Sequence, residues 1–221
     1  MSMFSVFEYA LASNDVYLSQ SESMRSRENL HAYGITPIEL DHHLFPPGFF
    51  ARLYYSKVHH GYILAFRGTT MDDGPIKADA QYAFEDKKPD AYYWAETLFY
   101  HLLAQKPELN YQLCLTGHSL GGLFAKLITA ETGFSSVGFN APGIERLVKT
   151  VPNTIPIVNI NAAMDFVSHF YHQIGKIINL VIPSDLATCG VNLPLCLYEE
   201  HRMATILGAL GHNPKVASLL V

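Results

Sequence analysis

Apolar and polar positions alternate along this chain in two different periods. Between Phe4 and Leu18 the residues Phe4, Phe7, Leu11 and Leu18 share one stripe at helical spacing, which predicts an amphipathic opening helix. A polar stretch, Ser19 to Asn29, follows it, and Phe45-Pro46-Pro47-Gly48 has the composition of a turn. Two extended runs, Arg52 to Lys57 and Gly61 to Phe66, are joined by Val58-His59-His60 and read as a hairpin feeding a central strand. Met71 to Asp90 reads as a polar loop, and Ala91 to Gln105 as a helix stopped before Pro107. Tyr111 to Leu115 is expected to be a buried strand running into Thr116-Gly117. Gly122 to Thr132 then reads as a helix closed by a left-handed Gly133. Val137 to Phe139 and Ile155 to Ile160 are two further strands, Ile177 to Ile182 reads as a core strand, and His201 to Leu210 as a helix before a short tail. Strands alternating with helices predict an α/β fold: a mostly parallel central sheet with helices on both faces. The chain shows no internal repeat, low-complexity tract or linker, so residues 1–221 read as a single domain.

Composition narrows the function. With 221 residues, 49% hydrophobic and 16% charged, the chain can bury a sizeable core. A net charge of -5 with 15 Lys+Arg and no basic run argues against a nucleic-acid partner. Three cysteines, Cys114, Cys189 and Cys196, cannot build a disulfide framework, although Cys189 and Cys196 could pair across a short loop. The N-terminus lacks the basic region of a secretory signal, and no apolar run approaches a spanning helix. The expectation is a soluble protein, cytoplasmic or exported without a signal peptide.

The sharpest chemical signal is Gly117-His118-Ser119-Leu120-Gly121-Gly122. It has the G-x-S-x-G spacing of a nucleophile elbow, in which a strand turns so abruptly into a helix that side chains two residues either side of the serine would clash. The five-residue pattern is weak alone. An apolar strand immediately before it and an Ala/Leu-rich helix immediately after supply the context that it requires. The bland alternative is a glycine-rich strand-to-helix turn with an idle serine. An acyl-transfer serine also needs donors aimed at a developing oxyanion. The Leu120 N–H, at the start of the new helix, is one by geometry. Ala65-Phe66-Arg67-Gly68-Thr69-Thr70 ends an earlier central strand and offers either a second donor or a plain strand-end turn.

Phe66-Arg67-Gly68-Thr69 paired with the elbow resembles the class 3 lipase family, α/β-hydrolases of triacylglycerol-lipase and phospholipase A type. Tyr9 to Tyr17 is similar to that family's opening helix, and Gly138 to Gly143 to its strand and turn after the elbow helix. Together these cover roughly residues 4 to 210. The resemblance implies an α/β-hydrolase fold, Ser119 as nucleophile and Thr69 as an oxyanion residue through both N–H and hydroxyl. It also implies no cofactor, and no His/Asp/Glu spacing here reads as a metal site.

A triad on this fold runs serine, acid, histidine. After Ser119 the acids are Glu131, Glu145, Asp165, Asp185, Glu199 and Glu200. Glu131 and Glu145 fall in or near helices. Asp165 follows the strand ending at Ile160, at the sheet edge where Ser119 emerges, and Asp165-Phe166-Val167 reproduces the Asp-x-Val segment of the resembled family; Asp185 is the fallback. For the base, the pairs His42/His43 and His59/His60 precede the elbow and read as turn residues, His118 projects away from Ser119, and His169 is too close to Asp165 to bridge it to the serine. His201 opens the last helix, as the family's catalytic histidine does, with His212 as the alternative.

Two segments could face the substrate. Phe170 to Leu197 lies between acid and base, with Ala187 to Leu197 as a mobile wall; Met71 to Trp94, after the oxyanion loop, is the rival lid, or a solvated loop. The leading reading is a serine hydrolase of lipid acyl esters, lipase or phospholipase A, meeting its substrate at a membrane or lipid surface. An acyltransferase, thioesterase or soluble-ester esterase would use the same triad. A non-catalytic hydrolase-fold binding module is the reading from a different class.

Overall fold

The alternation of apolar residues along the strands places two cores on the two faces of one sheet. The computed structural model describes residues 4–18, 23–41, 46–68, 87–150, 154–181 and 201–221, with residues 23–27 as backbone. Its helices are α1 (Val6–Asp15), α2 (Ser23–Ala32), α3 (Asp90–Gln105), α4 (Leu109–Gln112), α5 (Leu120–Thr132), α6 (Met203–Gly211) and α7 (Pro214–Ala217). The strands are β1 (Ile35–Ile38), β2 (Ala51–Ser56), β3 (Gly61–Phe66), β4 (Leu113–His118), β5 (Ser136–Phe139), β6 (Ile157–Ala162) and β7 (Lys176–Leu180), adjacent in chain order. β1, β2 and β3 pair antiparallel; β3 to β7 run parallel, in register from Tyr62 opposite Leu113 through Leu115 opposite Ser136 to Ser136 opposite Ile157. Parallel neighbours need crossovers; α3 and α4 lead into β4, and α5 connects β4 to β5.

In β3, Ile63 and Ala65 face one core while Leu64 and Phe66 face the other; in β4, Cys114 opposes Leu113 and Leu115. The first core is closed by α1 and by Met203, Ile206 and Leu210 of α6, whose spacing of three and four makes one helical stripe. The second is closed by α3 and α5, with Phe66, Phe99 and Phe124 among the largest buried side chains. Each such residue stabilises the fold by roughly 1.5–3 kcal/mol.

Some elements differ from the sequence expectation. α1 is buried nearly all round rather than along one stripe, because it lies between the sheet and the C-terminal helices; Phe7, on the expected stripe, is only partly buried. Its start is set by a capping box, in which Ser5 Oγ accepts from Glu8 N–H and Glu8 Oε2 accepts from Ser5 N–H. α2 occupies part of the stretch read as merely polar, and β1 and α7 had no predicted counterpart. Tyr111 and Gln112 close α4 instead of opening β4, which leaves Tyr111 90% exposed. β6 is shifted two residues toward the C-terminus from Ile155–Ile160. β7 is an edge element and not a core strand: Ile177 is 48% exposed, and only Leu180 is buried. Gly133 closes α5 in the left-handed conformation as expected, at φ 81°. No helix among the described residues is long and apolar enough to cross a membrane.

Candidate active site

β4 ends at His118 and α5 begins at Leu120, so Ser119 absorbs the whole change of direction, at φ 56° and ψ −128°. This is a costly conformation for an L-residue, on the order of 1–3 kcal/mol. The surrounding backbone imposes it. A Cβ on Gly117 would collide with the backbone of Gly121, and one on Gly121 with the Phe66 carbonyl at the end of β3. The Ser119 N–H donates to the Phe139 carbonyl at 3.0 Å, and its carbonyl accepts from Leu123 N–H at 3.1 Å.

The carboxylate is delivered by the end of β6. Ala162 N–H donates to Asn140 Oδ1 at 2.8 Å, which pins the strand end, and Asp165 N–H donates to the Ala162 carbonyl at 3.1 Å. Asp165 is fully buried. Its Oδ2 accepts from Ser168 N–H at 2.7 Å, and its Oδ1 lies 2.8 Å from His201 Nδ1. A carboxylate only accepts, so Nδ1 carries the proton and Nε2 is left with its lone pair. That lone pair faces the Ser119 hydroxyl, with Nε2 2.9 Å from Oγ. The His201 side chain is 23% exposed, while that of Asp165 is fully buried.

Ser119, Asp165 and His201 are thus brought together; the other candidates stand elsewhere. Glu131 bonds Tyr92 Oη and Lys88 Nζ, and Glu145 begins a single 3-10 turn, Glu145–Leu147. His59 pairs with Glu8 at 3.0 Å, and His60 lies 3.4 Å from Tyr55 Oη. Both occupy the β2–β3 turn, at the opposite end of β3 from the elbow. His169 donates from Nδ1 to the Asp165 carbonyl at 2.6 Å, and His212 caps the far end of α6. Cys114 is a buried free thiol. His42, His43, Asp185, Cys189, Cys196, Glu199 and Glu200 lie outside the described residues, as do Thr69, Ala187 to Leu197 and Met71 to Asp86. For the oxyanion reading, Gly68 is informative: a Cβ built on it would fall 3.2 Å from Leu120 N, so the segment just past the end of β3 lies against the first amide of α5.

Sequence reading assigned no role to Lys126, which is fully buried in α5. Its Nζ donates toward four oxygens: Pro142 O at 2.5 Å, Gln173 Oε1 at 2.9 Å, Asn159 Oδ1 at 3.1 Å and Ala141 O at 3.3 Å. Gln173 Nε2 donates in turn to the Ala141 and Ser168 carbonyls, at 2.7 and 2.8 Å. The helix launched by Ser119 is thereby tied to the loop that carries Asp165. Burial pushes the Lys126 amine down to about 7. The sequence signal was a lone lysine among Leu123-Phe124-Ala125 and Leu127-Ile128, on a helix with no polar face to place it on.

Among solved structures, Lip2 lipase from Yarrowia lipolytica shares 18% identity, covers 80% of this chain and 78% of that one, and superposes with a TM-score of 0.53. The Rhizomucor miehei triacylglyceride lipase shares 16% identity over 80% and 79%, with a TM-score of 0.51. These likenesses establish the α/β-hydrolase-like fold. In sequence, the chain is 32% identical over 151 residues to an Eremothecium gossypii protein named "Putative lipase ATG15"; the match covers 64% of this chain and 25% of that longer protein. The phospholipase-like family's Tle-like phospholipase domain matches residues 8–213, nearly the full length described above. The chain therefore belongs to the phospholipase-like family, as a Tle-like phospholipase domain.

Proposed function

We propose that this chain hydrolyses acyl esters of lipids, as a lipase or phospholipase A, through an acyl-enzyme on Ser119. The observation that carries the reading is one imidazole, His201, bridging a buried carboxylate at 2.8 Å and a serine at a strained elbow at 2.9 Å. His201 Nε2 takes the Ser119 proton as Oγ attacks the ester carbonyl. Asp165 holds the Nδ1–H tautomer and stabilises the imidazolium that forms. The Leu120 N–H and Thr69 stabilise the oxyanion. The imidazolium then protonates the leaving alcohol, and water, deprotonated by His201, releases the fatty acid and regenerates the serine.

Family membership supports a lipid ester over other esters. So does the rim of the site, where Met164 and Phe166 flank Asp165 and are 37% and 45% exposed. The Phe166 ring centroid lies 6.2 Å from that of His201, which suits an apolar chain beside the scissile bond.

The test is hydrolysis of p-nitrophenyl esters of increasing chain length, and of phospholipid vesicles, by the wild type and by Ser119→Ala. Turnover that rises with chain length or at vesicle surfaces, and vanishes in the variant, is the expected result. Activity confined to short soluble esters would replace the lipid reading with an esterase. A wild type that neither turns over nor labels with a fluorophosphonate would overturn the hydrolase reading and leave a binding module.

A further inference from the structure

A second hydrogen-bonded chain passes behind the candidate triad. Tyr17 Oη accepts from the Gly68 N–H at 2.9 Å and lies 3.0 Å from His118 Nδ1 and 3.2 Å from the His118 carbonyl. The other ring nitrogen, His118 Nε2, bonds the carbonyl oxygen of His201. A carbonyl can only accept, so Nε2 bears the proton and Nδ1 is the acceptor. The Tyr17 hydroxyl is then the donor to Nδ1. Burial and the neighbouring His201 push His118 down to about 3, so the ring is neutral near pH 7. The chain then runs from Gly68 N–H to Tyr17 Oη, from Tyr17 O–H to His118 Nδ1 at 3.0 Å with the His118 carbonyl at 3.2 Å sharing the same proton, and from His118 Nε2–H to the His201 carbonyl.

Three corners of the site are joined by this chain. Gly68 lies two residues past the end of β3, beside Leu120 N; His118 is the residue before the elbow serine, and the His201 carbonyl belongs to the candidate base. α6 begins at Met203, and the N–H groups of Thr205 and Ile206 bond the Arg202 carbonyl; among the described residues the His201 carbonyl is held by His118. The two imidazoles lie 4.6 Å apart at 42°. His118 is no spare base, since its proton faces a carbonyl and its lone pair is already taken by Tyr17.

We propose that Tyr17 and His118 are positioning residues for the reaction: they lock the backbone of His201 to the elbow and to the end of β3, and so set the reach of His201 Nε2 to Ser119 Oγ. The proposal rests on the hydrolase reading of this site. A misplacement of about 1 Å at a reacting group costs on the order of 100-fold, so a relay that fixes this distance acts on turnover and not on substrate affinity.

The test has two parts. In wild-type protein carrying 15N-labelled histidine, His118 is expected to show a protonated Nε2 and an unprotonated Nδ1 at pH 7. The reverse tautomer, or an imidazolium, overturns the proposal without any variant having to fold. In steady-state kinetics on a p-nitrophenyl ester, Tyr17→Phe and His118→Leu are expected to lower kcat roughly 10- to 100-fold with KM within about twofold. His118→Gln, which keeps a donor for the His201 carbonyl, should recover part of the loss. Folded variants with kcat within about twofold of an active wild type overturn the relay alone. A wild type inert to both ester and fluorophosphonate identifies failure of the hydrolase reading instead.

Discussion

Ser119, at φ 56°, costs the fold energy that only a contact made there can justify, and glycines crowded against backbone on either side hold it in place. The proton geometry around the serine is set by its neighbours. Asp165 Oδ1 can only accept, so it selects the His201 tautomer that presents a lone pair to Ser119. Asp165→Asn keeps the size of the side chain but brings an amide donor that favours the opposite tautomer. The expected result is a fall in kcat of about 10⁴-fold with an unfolding midpoint close to wild type. A kcat within tenfold of wild type would remove Asp165 from the mechanism. At this scale the motif spacing was the readable part: it named the serine, and chain order with the family resemblance named Asp165 and His201. The Tyr17–His118 chain was unreadable because its members sit 101 residues apart, and its far end is a backbone carbonyl, which no residue type reveals.

The elements owe their positions to buried polar ties as much as to apolar stripes. At the end of α1, the fully buried Asp15 accepts from Arg52 at 2.5 Å and from Tyr54 Oη at 2.8 Å, fastening the helix to β2. Breaking such a pair from one side strands a charge in the interior. Arg52→Met is therefore expected to destabilise by about 3–5 kcal/mol, and Arg52→Met with Asp15→Leu by markedly less. Urea unfolding of both variants would check this; equal losses would show that the pair's charges do not govern the site. Elements with a clear period were legible: the β2–β3 hairpin, β4, α3, α5 and α6. Those that gain order from neighbours were not. α2 is polar, β1 is four residues long and exists by pairing with β2, and the apolar residues of β7 look like a core strand although its sheet position is an edge.

Across the whole molecule, two buried bases give stability a definite slope with pH. His118 is lowered from 6.5 to about 3 and Lys126 from 10.5 to about 7, both by burial first. In each case the unfolded chain binds the proton more readily than the fold does, so stability rises with pH between the folded and unfolded values and is lost as pH falls through the folded one. The windows are about 3 to 6.5 for His118 and about 7 to 10.5 for Lys126. The fully buried Tyr9 and Tyr54 and the partly buried Tyr17 are raised by desolvation, so their contribution is lost as pH climbs past about 10. The unfolding free energy of wild type minus that of Lys126→Met is expected to increase between pH 7 and 9.5, where the tyrosine contribution cancels. A flat difference would mean that the four oxygens around Nζ hold it charged despite its burial. By itself the sequence determined the alternation of strands and helices, the elbow and the chain order of its candidate residues, because these depend on local period, local sterics and direction along the chain. Only the tertiary structure decided that α1 is buried nearly all round, that Lys126 and Gln173 tie α5 to the loop of Asp165, and that Tyr17 and His118 reach the backbone of His201. Those contacts join residues far apart in the chain, and the burial that gives them strength exists only once the sheet has been covered on both sides.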